Sequence, residues 1–223
     1  MDFFKLIQSL DELVYEVLGW LLFFPRTVGQ LVIRPVTMML SAETELADDE
    51  EHQFDDLIAP PLFLALVLAL IHVVELQVVG QDAIVTSKEG FAKFISNDTN
   101  LLVLRIVMFG LLPLTVARRL LKIRKMPVNK RDLKAPFYAQ CYAAAIYAVI
   151  LNGGIFLTQA KFDNALKIGV IVGLLGIGWF LIVETIWFRR KEAFGWARAF
   201  WNALVSWLEW LAVLLVLFAL MGR

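Results

Sequence analysis

Two ionisable residues interrupt an otherwise lipid-soluble run: in PLFLALVLALIHVVELQVVG, residues 61–80, His72 and Glu75 stand three positions apart. On a helix that spacing puts imidazole and carboxylate on one face. Such a pair can offer two ligands to a metal or two stations to a proton pathway. A third reading needs only Arg105 in the next apolar segment: an ion pair between consecutive helices, with His72 joining it by a hydrogen bond one turn deeper. Metal chemistry has little to draw on, because the chain holds two histidines, His52 and His72, and one cysteine, Cys141. No multi-His site, Cys-based cluster or intramolecular disulfide follows from that set, and no cofactor is implied. Glu209 is the other acid at depth, between Trp207 and Trp210 in WNALVSWLEWLAVLLVLF, with no base inside its own apolar segment. An ionised side chain there costs about 2.5–3.5 kcal/mol. Glu209 therefore faces protein or a water-filled cavity, or is protonated. It either bonds a helix carbonyl or lines a pathway or ligand pocket.

The elements that must hold these groups are membrane helices. Of 223 residues, 60% are hydrophobic, against roughly 45–50% in soluble domains. Five segments, about 60–79, 100–121, 136–158, 165–188 and 200–221, reach the ~20 apolar residues that a bilayer core requires. None alternates like a barrel strand, and helices satisfy their own backbone in lipid. The expected fold is all-α: a five-helix transmembrane bundle over residues 60–223, preceded by an N-terminal region over 1–59. Lys and Arg alternate between the loops. The second carries Arg118, Arg119, Lys122, Arg124, Lys125, Lys130, Arg131 and Lys134, and the fourth Arg189, Arg190, Lys191 and Arg198. The first and third carry only Lys88 and Lys93, then Lys161 and Lys167. The positive-inside rule then puts the N-terminus in the cytoplasm and the C-terminus outside, in a bacterial inner membrane. In that topology Glu75 and Arg105 lie at similar depths of about 6–8 Å below the outer surface.

The N-terminal region reads as amphipathic. Phe3, Ile7, Leu10, Val14, Val17, Leu21 and Phe24 recur at three- and four-residue spacing, with Asp2, Lys5, Asp11, Glu12 and Glu16 opposite. Pro25 is expected to end or kink this helix. It would lie at the cytoplasmic interface, anchored by Trp20, or dip into the membrane as a hairpin. The start MDFFKLIQSLDEL has no basic stretch and carries acids where a signal peptide is apolar, so none is expected. A second amphipathic piece, TVGQLVIRPVTMMLS, is interrupted by Pro35. Next, ETELADDEEHQFDD holds eight acids and no Lys or Arg. Either it is a solvated linker or it docks on the basic second loop by charge attraction. Anionic lipid headgroups are the competing use of that loop.

Small residues mark the packing surfaces. Gly169 and Gly173, then Gly176 and Gly178, lie in the fourth span; Ala139, Ala143, Ala144 and Ala145 lie in the third. Such residues let backbones approach where apolar drive is missing, so spans three and four are expected to form the tight pair at the bundle's centre. Glu184, beside Arg189 and Arg190, reads as an interfacial residue, and Trp187, Trp196 and Trp201 as an aromatic belt. No phosphate loop, dinucleotide fingerprint or assembled Ser-His-Asp set occurs, so an enzyme is not expected. A net charge of zero gives no argument for nucleic acid.

Arg34-Pro35 ahead of the first span, Pro60-Pro61-Leu62-Phe63 opening it, Tyr142 in CYAAAIYA and five spans together resemble the Yip-domain family of small five-span membrane proteins. The resemblance implies a membrane-organising or partner-recruiting protein. Two functions follow as expectations. One is a noncatalytic integral membrane protein that works through its N-terminal region and basic loop on a protein partner and the lipid bilayer. The other is a small channel or ion-coupled transporter using Glu209 with the His72, Glu75 and Arg105 group. Five helices leave little room for a pore in one chain, so a homo-oligomer is plausible for either.

Overall fold

The computed structural model describes residues 3–47, 53–78 and 98–221. Among them run seven helices: α1 (Phe3–Ile33), α2 (Pro35–Glu45), α3 (Pro60–Val78), α4 (Asp98–Ile123), α5 (Lys130–Gln159), α6 (Ala165–Glu192) and α7 (Trp196–Met221). The last five are long and apolar enough to cross a membrane. Their outward side chains are apolar too: Leu70 and Val73 on α3, Val103 and Val107 on α4, Leu174 and Leu175 on α6, Leu215 and Val216 on α7 are all exposed. So much apolar surface fits hydrocarbon as the surrounding solvent rather than water. The chain is an integral membrane protein.

Helices run past the expected spans at the end of α6, which reaches Glu192 rather than 188, and at two starts. α5 starts at Lys130 rather than 136, because the Asn129 side chain accepts from Asp132 N at 2.9 Å and caps the helix there. α7 starts at Trp196 rather than 200, after a three-residue turn in which Ala193 takes φ 51°. The basic "loops" are therefore largely helix ends: Arg118, Arg119 and Lys122 close α4, while Lys130, Arg131 and Lys134 open α5.

Pro25 does not end α1, which continues to Ile33. Its downstream half is fastened to the bundle. Leu31 and Thr27 are fully buried, and Thr27 Oγ1 donates to Phe23 O at 2.9 Å while accepting from Ile58 N at 3.4 Å. Packing thus outweighs the single ladder bond that a proline removes. Pro35 does interrupt: Arg34 leaves helical geometry at φ −139°, ψ 57°, and α2 begins on the proline. α2 then buries Val36, Met38, Met39 and Ala42 against α5 and α6.

α5 is the centre. It touches α2, α3, α4 and α6, and every residue from Ala139 to Ala148 is buried. The run AQCYAAAIYA can be enclosed on all sides because half of its side chains are single methyl groups. α6 meets α5 along a glycine seam but turns Leu166, Val170, Ile171 and Leu175 outward, so it flanks the centre instead of sharing it. At the seam, a Cβ on Gly154 would lie 2.8 Å from Gly169 O and 2.9 Å from Gly173 N, and one on Gly169 would lie 2.5 Å from Gly154 O. Gly178 faces open space. Gly154→Ala and Gly169→Ala are expected to lower stability by about 1–3 kcal/mol by prising backbone from backbone. Gly178→Ala should change little, with chemical unfolding in detergent as the measurement.

Candidate functional site

The chemistry of this chain lies in polar side chains that meet across the helix seams. Between α3 and α4, Glu75 and Arg105 form an ion pair with side-chain exposures of 11% and 15%. The antiparallel hairpin sets both at one level, as their positions in the spans require. His72 is buried on the same face, one turn away. It does not join through Nδ1, which is buried without a partner among the described residues.

Glu209 does not bond a helix carbonyl. Its Oε2 takes Arg118 Nη2 at 2.6 Å and its Oε1 takes Arg119 Nη1 at 3.4 Å, both from α4. Arg119 Nε donates onward to Asn202 Oδ1 at 3.1 Å, and Trp210 Nε1 donates to Met108 O at 2.9 Å. The α4–α7 seam is thus laced from Met108 to Arg119 on one side and from Asn202 to Trp210 on the other. Side-chain direction explains how arginines at the basic end of the second span reach Glu209. Helical side chains lean toward their own N-terminus, so those near the end of α4 lean into the bundle. Glu209, on the antiparallel α7, leans the opposite way and meets them. Looking for its partner inside one span could not find them.

Glu184 points into the bundle. It is fully buried and accepts from Gln140 Nε2 at 3.0 Å. Its helical neighbours Phe180, Trp187 and Phe188 are buried as well, so it sits on the inward face of α6, whereas Arg190 is exposed. Trp187 shares that inward face and is fully buried, so it does not belong to an interfacial belt. Gln140 was hidden in a run of small residues and carried no signal of its own.

The acidic stretch does not pair with the second basic loop among the described residues. Glu43 pairs with Lys191 of α6, Glu45 accepts from Phe54 N at 3.2 Å, and Asp56 meets Arg26 at 3.5 Å. Arg124 pairs with Glu192 at 2.6 Å. α2 packs against α6 as well as α5, and Lys191 at the end of α6 takes Glu43; residues 48–52 lie outside the described set. Lys122, Lys125, Lys130 and Arg131 are exposed.

Arg105 and Arg118 are thirteen residues apart on α4, about 20 Å along its axis, so Glu75 and Glu209 take their arginines from different levels of that helix. An apolar cleft of about 620 Å³ opens elsewhere, between α1, α3, α5 and α6, lined by Phe24, Val28, Phe63, Val67 and Trp179. Its amide, Asn152, is already bonded to Ala148 O at 2.8 Å. Tyr142 donates to Ile58 O at 2.8 Å and sets its ring edge-on to Phe63 at 5.8 Å, and Phe63 packs on Phe24 at 5.3 Å. One cluster thereby joins α1, α3 and α5.

What the seams do chemically is fasten helices. Removing one member of a desolvated pair strands the other, whereas replacing both with apolar groups does not. Glu75→Ala should therefore cost about 3 kcal/mol, and Glu75→Leu/Arg105→Leu should recover most of it, read as unfolding midpoints in detergent. Comparison with protein-family models, curated proteins and solved structures finds no match for this chain.

Proposed function

We propose that this protein is a noncatalytic membrane organiser that recruits a protein partner through α1. One observation carries the reading. α1 is a single helix whose later half is seated on the bundle through Thr27 and Leu31, while Tyr15, Leu18, Leu21 and Leu22 ahead of it stay exposed at 82%, 59%, 74% and 72%. A rigid apolar stripe held by a docked stem suits helix-in-groove recognition. The charge alternation of the loops supports a cytoplasmic setting for it. The residues behind the Yip-domain resemblance support the reading as well, since Phe63 and Tyr142 build the seat that receives α1 at Phe24. In-span charges paired across seams fit a scaffold whose helices are held fixed.

Transport through Glu209 or the His72, Glu75 and Arg105 group is the competing reading, and two measurements separate them. A photocrosslinker placed at Leu18 or Leu21 in cells should yield a discrete protein adduct, and one at Val170 only lipid adducts. Protein in liposomes should show no proton or ion flux. Lipid adducts alone at Leu18, or a flux abolished by Glu209→Gln, would overturn the proposal.

A further inference from the structure

Four consecutive ionisable residues close α6: Arg189, Arg190, Lys191 and Glu192. Glu43 of α2 takes Lys191, and Arg124 takes Glu192. Arg189 and Arg190 form no ion pair among the described residues. Arg189 instead lies over the indole of Trp196, 3.9 Å from the ring centroid, and its buried Nε–H has no acceptor there. Trp196 opens α7, whose first turn carries no acid, so the positive end of that helix lies at the same corner. Arg198, the third residue of α7, holds its guanidinium 4.2 Å over Phe194 and brings a third cation.

Beside these cations lies a recess of about 380 Å³ lined by Ile186, Arg189, Arg190 and Trp196. Trp196 also borders a second recess of about 400 Å³, lined by Ile182, Thr185, Ala197 and Phe200. Ile182, Trp196 and Phe200 are exposed apolar side chains. A cationic mouth adjoining an apolar trough complements an amphiphile with an anionic head.

We infer that this α6–α7 corner binds one anionic phospholipid, its phosphate held by Arg189 and Arg190 and an acyl chain laid along Ile182 and Phe200. Free phosphate would use the mouth and leave the trough empty. A choline headgroup would set its ammonium among guanidiniums. Arginine suits the role because its planar fork matches phosphate oxygens two at a time.

The test uses the full chain in nanodiscs of phosphatidylcholine containing a minor fraction of phosphatidylglycerol with brominated acyl chains. Quenching of Trp196 is taken as the difference between wild type and Trp196→Phe. Brominated phosphatidylglycerol should quench at a mole fraction about tenfold below brominated phosphatidylcholine. Arg189→Gln/Arg190→Gln should remove that preference. Arg131→Gln/Lys134→Gln, an equal loss of charge elsewhere, should keep it, and inorganic phosphate should not displace the lipid. If Arg189→Gln/Arg190→Gln does not fold, Arg189→Lys/Arg190→Lys reads the same site as a partial loss of preference. Equal quenching by both lipids, equal effects of the two charge-removing variants, displacement by phosphate, or an unchanged preference in the lysine variant would each overturn the assignment.

Discussion

An ionised side chain at bilayer depth must meet its opposite on another helix, and most of this structure's specific contacts answer to that constraint. Apolar side chains distinguish poorly between protein and lipid, so they cannot alone decide which helix lies beside which. The polar pairs do. Glu75 with Arg105 closes the first hairpin, Arg118 and Arg119 with Glu209 bring the last span back to the second, and Glu184 with Gln140 joins the fourth to the third. Each pair names two helices and one level.

Within that frame, close contact is set by what side chains lack. α5 occupies the centre because Ala139, Ala143, Ala144 and Ala145 leave room for helices on all sides, and Gly154 and Gly169 let two backbones touch. The larger residues of the same helix then act as spacers with directional bonds. Tyr142 reaches out to Ile58, and Tyr147 accepts from Trp207 Nε1 at 3.1 Å. Packing and hydrogen bonding here are divided by residue size along one helix.

The spans were legible in the sequence because length and hydropathy are local properties. The Glu75–Arg105 pair was legible for a related reason: consecutive antiparallel helices fix relative depth by counting. Glu209 was legible as an anomaly but not as a contact, since its partners lie about ninety residues away at a helix end that reads as loop. The burial of Glu184 was not legible, because proximity to Arg189 and Arg190 in sequence says nothing about which face of α6 it occupies. α2 reads as a second amphipathic piece, and Met38, Met39 and Ala42 bury it while Glu43 adds one charge pair, to Lys191 of α6.

The seat of α2 also sets an order of events. Glu43 and Lys191 are 148 positions apart, and the surfaces that receive α1 and α2 belong to α3, α5 and α6. During synthesis the first two helices emerge before any of that surface exists. They must wait through the insertion of at least four spans with Met38, Met39 and Leu31 unburied. An amphipathic helix tolerates such an interval by resting on the bilayer, which makes the membrane surface itself the holding site for the N-terminal region until α6 arrives.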